Sequence, residues 1–144
     1  MSSSRFVFNY ATAHRLYGTP HYLEWARHGL TFLFDYHRQP DGHYAWELKD
    51  GQVTDGRAMA YGHAFVMLAG ASSLQAGLSE GGKLVEDTWA FLETYFWDSE
   101  NRAYADERDA TLQILDPYRG QNANMHMCEA LLAAWEATAH QVYL

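Results

Sequence analysis

The chain has 144 residues, 48% of them hydrophobic and 15% aromatic, which is enough to bury a core and too apolar for a disordered segment. A formal charge of −8, with only ten Lys and Arg in total, argues against a nucleic-acid partner and leaves small neutral or polar ligands as the better class. Cys128 stands alone, so no internal disulfide can form, and no stretch reaches the ~18 uninterrupted apolar residues of a membrane span.

Met1 to Arg5 shows no basic region followed by an apolar run and a cleavage site, so a soluble cytoplasmic protein with no membrane partner is expected. The first element in chain order is a helix over Phe6 to Tyr17, rich in Ala and apolar on most of its circumference. Gly18 follows where a C-terminal cap belongs, and Thr19 then serves as the N-cap of a helix that opens on Pro20 and runs to Gln39. Its spacing places Leu23, Ala26, Leu30, Leu33 and His37 on one face. The polar stretch from Pro40 to Gly56 reads as a short hairpin turning at Asp50-Gly51, between His43–Leu48 and Gln52–Thr54.

Met59 to Ala76 is again apolar all round and ends before Gly77, whereas Gly81 to Trp97 is amphipathic, with Leu84, Thr88, Phe91, Leu92 and Tyr95 inward and Glu86, Asp87 and Glu93 largely outward. A second long polar stretch, Asp98 to Gly120, offers Ala103-Tyr104-Ala105 and Thr111 to Leu115 as a strand pair. The last helix, Ala123 to Ala139, returns to the apolar type, and Cys128 on it is expected to be core. The order is inner, outer, inner, outer, inner. Phe32-Leu33-x-x-Tyr36 followed by Tyr44 recurs about sixty residues later as Phe91-Leu92-x-x-Tyr95 followed by Tyr104, so the unit is a repeated helical hairpin. Such units bury their inner faces only by stacking, as a solenoid or a closed ring, and two and a half of them cannot close a ring.

The segment richest in chemistry is Tyr118-Arg119-Gly120-Gln121-Asn122-Ala123-Asn124-Met125-His126-Met127-Cys128-Glu129-Ala130, which runs from a loop into the last helix. Asn122 and His126 are four apart and share one face near the helix amino end, with Glu129 a further step along and rotated away. On the residues alone two readings stand: Asn122 caps the helix while His126 and Glu129 satisfy one another in the core, or the polar cluster lines a site. A metal pair on His-x-x-Glu would need ligands from elsewhere, and no zinc-protease, Cys-x-x-Cys, Walker A, dinucleotide or Gly-x-Ser-x-Gly pattern is present, so no cofactor is expected.

Arg119, Asn122, Asn124-Met125-His126 and Glu129-Ala130 are similar to the Arg-x-x-Asn-x-Asn-Met-His-x-x-Glu-Ala signature of the N-acylglucosamine 2-epimerase superfamily. The wording resembles most closely its bacterial aldose–ketose isomerases acting on mannose and related sugars. The resemblance runs over the whole chain, from Arg5-Phe6-Val7-Phe8 through Tyr61-Gly62-His63-Ala64-Phe65. It implies an all-α fold of repeated helical hairpins forming part of an (α/α)6 barrel, with short β-hairpins in the long loops. Residues 1–144 would be a single partial barrel domain, about two and a half of six hairpins, with no metal or nucleotide.

The resemblance further implies that Arg5, Tyr61, Asn122 and His126 line a sugar pocket. Arg5 and His126 would donate to the oxygens of an enediolate formed by proton transfer next to a carbonyl, and Glu129 would support from behind. The principal acid and base of the family, two further histidines, come from later helices, so this stretch is expected to supply the sugar-binding wall and one histidine. His63 is about 200° around its helix from Tyr61 and is read as structural. The same applies to His14, His21, His28, His37, His43 and His140, as structural or solvated. Two rivals remain: a non-catalytic helical-repeat module binding a glycan or a partner protein, and a glycoside hydrolase for which only Glu47, Asp55 and Glu129 are candidate carboxylates. Exposed inner faces at both ends would favour self-association or a complementary half-barrel chain.

Overall fold

A computed structural model describes residues 2–144 and contains, among them, five α-helices and three two-stranded ribbons. The helices are α1 (Ser2–Tyr17), α2 (Pro20–Phe32), α3 (Ala60–Gln75), α4 (Glu80–Tyr95) and α5 (Gln121–Thr138). One π turn, Leu33–His37, extends α2 and carries the apolar stripe on, so Ala26, Leu30, Leu33 and His37 are all buried as their spacing predicts. Gly18 (φ 66°) and Gly77 (φ 95°) end α1 and α3 in the left-handed conformation, and the outer helices α2 and α4 start two or three residues later.

Inner helices α1, α3 and α5 lie in a row, with α3 packed between the other two; α2 covers α1 from outside and α4 covers α3. Two cores result. One joins α1, α2 and the outer side of α3 through Val7, Ala11, Leu30, Leu33 and Val66. The other joins α3, α4 and α5 through Met67, Leu68, Leu92, Met127 and Ala130. The helix apolar all round is α3, with twelve buried residues out of sixteen, whereas α1 and α5 have an inner neighbour on one side only and expose Leu16, Tyr17, Met125 and Leu132. Cys128 belongs to that outer flank. It is exposed and not core, because the apolar circumference of α5 exceeds what one neighbour covers. Among the described residues no helix is long and apolar enough to cross a membrane.

The long segments fold as ribbons. β1 (Glu47–Lys49) pairs with β2 (Gln52–Asp55) around Asp50 and Gly51, both at positive φ (52° and 76°), the type I′ geometry that an Asp-Gly hairpin adopts. In the second segment, β5 (Ala103–Tyr104) pairs with β4 (Trp97–Asp98) and not with Thr111 to Leu115. The Asp98 carboxylate accepts from the Glu100 and Asn101 amides and folds the turn immediately after α4, so the nearest strand closes first. β6 (Glu107–Arg108) then crosses to β3 (Ala58–Met59), just ahead of α3.

The repeat recurs in the hydrogen bonds at the starts of α3 and α5. The fourth residue of α3, His63, donates from Nδ1 to Met59 O and accepts the Tyr44 amide at Nε2 (3.1 Å). The fourth residue of α5, Asn124, donates to Gly120 O and accepts the Tyr104 amide (2.7 Å). Each clamp ties the loop tyrosine to the first turn of the next inner helix.

Burial pushes the His63 imidazole down to about 4, against a hydrogen bond to Met59 that raises it, and burial also lowers His37. The unfolded chain, with histidines titrating near 6.5, therefore binds more protons than the folded one in between. Stability is expected to be full above pH ~6.5 and to fall as the pH drops toward ~4, by about 3 kcal/mol at most from His63. Urea midpoints measured across that range check it, and a His63→Asn variant should flatten the slope.

Candidate functional site

The site lies where the amino ends of the three inner helices meet the long segments. The Asp106 backbone carbonyl accepts the Ala60 amide at the start of α3, while its carboxylate accepts the Gly120 amide at the start of α5 (2.5 Å). Arg57 adds an ion pair to Glu107 and a bidentate one to Asp55. These bonds fix α3 and α5 side by side at their first turns, which sets the distance between the side chains at their second and sixth positions.

Three of the four residues expected to line a pocket come together. The Arg5 guanidinium donates a hydrogen bond to the Tyr61 hydroxyl oxygen and lies 4.4 Å from the centre of the Phe65 ring. The Tyr61 and His126 rings meet edge to face with centroids 5.1 Å apart, and Phe65 lies 4.8 Å from His126. One residue each from α1, α3 and α5 thus meets at a single point, the His126 side chain remaining 22% exposed. Asn122 sits one turn nearer the amino end of α5 on the same face. Its side chain is exposed and hydrogen-bonds none of the described residues. The N-cap of α5 is Gly120, so Asn122 does not cap the helix.

Glu129 Oε2 stands 3.0 Å from His126 Nδ1, but the pair is half open to solvent and not in the core. The rest of the signature is scaffold. Arg119 holds Asp98, whose carboxyl is brought down to about 2 chiefly by hydrogen bonds from Asn101, with Arg119 adding to them. Gly120 fits against Asp106, where a Cβ would lie 2.6 Å from the carboxylate.

His63 faces the opposite way, fully buried and stacked on Phe91 at 4.9 Å. His37 and His43 are buried in the connection after α2, with His43 bonded to Asp41 and the Gly56 carbonyl. Of the three carboxylates weighed for hydrolysis, Asp55 is tied to Arg57, Glu47 lies exposed on β1 and Glu129 is paired with His126, so no two face one another across a cleft. Among the described residues no three His, Cys, Asp or Glu side chains converge as metal ligands would.

Sequence reasoning passed over Phe65 and Trp46. Phe65 follows Tyr61 by one helical turn, and the repeat makes it the counterpart of His126 as it makes Tyr61 the counterpart of Asn122; that double coincidence was the available signal. Trp46 is half-buried, its ring 6.3 Å from Tyr61, and nothing local in the sequence of its loop indicates that approach.

The model of the N-acylglucosamine 2-epimerase (GlcNAc 2-epimerase) family matches residues 1–144. A D-mannose isomerase of Marinomonas mediterranea is 44% identical over 144 residues, all of this chain and 36% of that protein. The crystal structure of a D-mannose isomerase superposes with a TM-score of 0.95 at 44% identity, over 99% of this chain and 37% of the other. A cellobiose 2-epimerase from Bacillus thermoamylovorans reaches a TM-score of 0.90 at 19% identity, over 98% of this chain and 40% of the other, a likeness of fold alone. The chain spans about a third of the length of these relatives, and its five helices have the arrangement of part of an (α/α)6 barrel.

Proposed function

The chain belongs to the N-acylglucosamine 2-epimerase family, and on that premise we propose that it forms the sugar-binding wall of an aldose–ketose isomerase converting mannose to fructose through an enediolate. The meeting of Arg5, Tyr61 and His126, from three successive inner helices, is the observation that carries this reading. Identity of 44% to a D-mannose isomerase, against 19% to a cellobiose 2-epimerase, favours isomerisation over 2-epimerisation. We read residues 1–144 as one partial barrel domain of about two and a half hairpins.

In this reading Tyr61 accepts from Arg5 and keeps its own hydroxyl hydrogen for a sugar oxygen. Asn122, free to donate and accept, holds a neighbouring hydroxyl. Phe65 and Trp46 offer ring surface to the C–H face of the sugar. Arg5 supplies positive charge where oxyanion character develops, and His126 moves a proton near neutral pH. The further acid and base come from the remaining hairpins of the barrel, in one polypeptide or a complementary one. Those hairpins pack on the exposed flanks of α1 and α5, at Phe6, Leu16, Met125 and Leu132.

The test is a chimera in which this chain replaces the matching third of the Marinomonas mediterranea relative. Incubated with mannose, it is expected to yield fructose, measured by chromatography. A folded chimera that converts neither mannose nor a related aldose overturns the proposal.

A further inference from the structure

An ionised carboxylate can only accept hydrogen bonds, so a neutral His126 bonded to Glu129 carries its hydrogen on Nδ1. Nε2 is then left with a lone pair, and it hydrogen-bonds none of the described residues. We infer that Glu129 is a positioning residue that holds His126 in the Nδ1–H tautomer, so that the ring enters the reaction as a proton acceptor at Nε2. In its neutral form it is not the donor to enediolate oxygens that the family resemblance implies. The consequence for catalysis rests on the sugar-isomerase reading, whereas the tautomer itself does not.

Three observations support the assignment. The pair is an i, i+3 contact on one helix, so its geometry is set by α5 and needs no distant element. Glu129 is 54% exposed and bonds no other described residue, so the contact adds little to stability and leaves orientation of the ring as its effect. The ring neighbours Tyr61 and Phe65 from α3 present carbon surface, while the Arg5 guanidinium from α1 is engaged with Tyr61 and Phe65. Among the described residues no second group hydrogen-bonds Nδ1.

The proton accounting closes within one turnover. A sugar O–H bond breaks, an Nε2–H bond forms, the oxygen keeps the electron pair, and the Glu129 carboxylate balances the imidazolium until the proton returns to a sugar oxygen.

The test needs no activity. The ¹⁵N-labelled chain is studied by multiple-bond ¹H–¹⁵N correlation at pH ~9, where imidazoles are neutral. The His126 pattern is assigned by its loss in His126→Gln. The pyrrole-like nitrogen is expected to be Nδ1, and Glu129→Ala, at an exposed position that leaves the fold intact, should shift most of the population to the Nε2–H form. An Nε2–H ring in the unaltered chain, or no change in Glu129→Ala, overturns the inference. Absence of mannose conversion by the folded chimera, with the Nδ1–H pattern intact in the chain, overturns the isomerase reading alone.

Discussion

Replacing His63 by Ala is expected to destabilise the chain by about 3–5 kcal/mol, as much as removing a core aromatic. The ring is fully buried, stacks on Phe91, and joins Met59 O to the Tyr44 amide. Truncation leaves a cavity between α3 and α4, and it also leaves a buried amide without a partner in a loop whose residues Tyr44 and Ala45 are themselves fully buried. Either loss alone costs roughly 1–3 kcal/mol, and both act at the same contact. The urea midpoint should fall with an unchanged m-value. His63→Asn supplies the donor and acceptor that Asn124 uses at the equivalent place in the second repeat, so it should lose less than Ala. A midpoint for His63→Ala close to that of the unaltered chain would show that the clamp contributes nothing.

Replacing His126 by Gln in the chimeric barrel is expected to lower kcat by ~10²–10⁴-fold, the range for loss of a positioned proton-transfer group. Stability should barely change, since the side chain lies at the open end of α5 and contacts Tyr61 and Phe65 by one edge of the cluster. Gln supplies an amide that can hydrogen-bond a sugar hydroxyl in place of the ring nitrogen, so KM should move far less than kcat. Tyr61→Phe removes one hydroxyl and should cost only about tenfold. Equal kcat for His126→Gln and the parent chimera, measured by fructose formation, would remove His126 from the chemistry.

The site was legible in part. The spacing of Asn122, His126 and Glu129 gives a shared helical neighbourhood, and the pairing of His126 with Glu129 follows from a separation of three residues. The partnership of Arg5 with Tyr61 came only through resemblance, since no periodic signal links residues fifty-six apart. Phe65 and Trp46 were missed because an aromatic side chain on an apolar face looks the same whether it packs in a core or borders an opening.

The elements are a matter of local sequence. Apolar period, Gly18, Gly77 and Pro20 mark five helices and their hand-overs, and Asp50-Gly51 marks a hairpin, because each is a property of neighbouring residues. Tertiary structure decided which elements meet. Trp97–Asp98 took the strand partnership expected of Thr111 to Leu115, and Cys128 came to lie in the open. The two bonds of Asp106, to the Ala60 and Gly120 amides, set α3 beside α5 so that Tyr61 reaches His126. Periodicity reports which face of a helix is apolar; only packing settles which neighbour covers that face and which part of it stays uncovered.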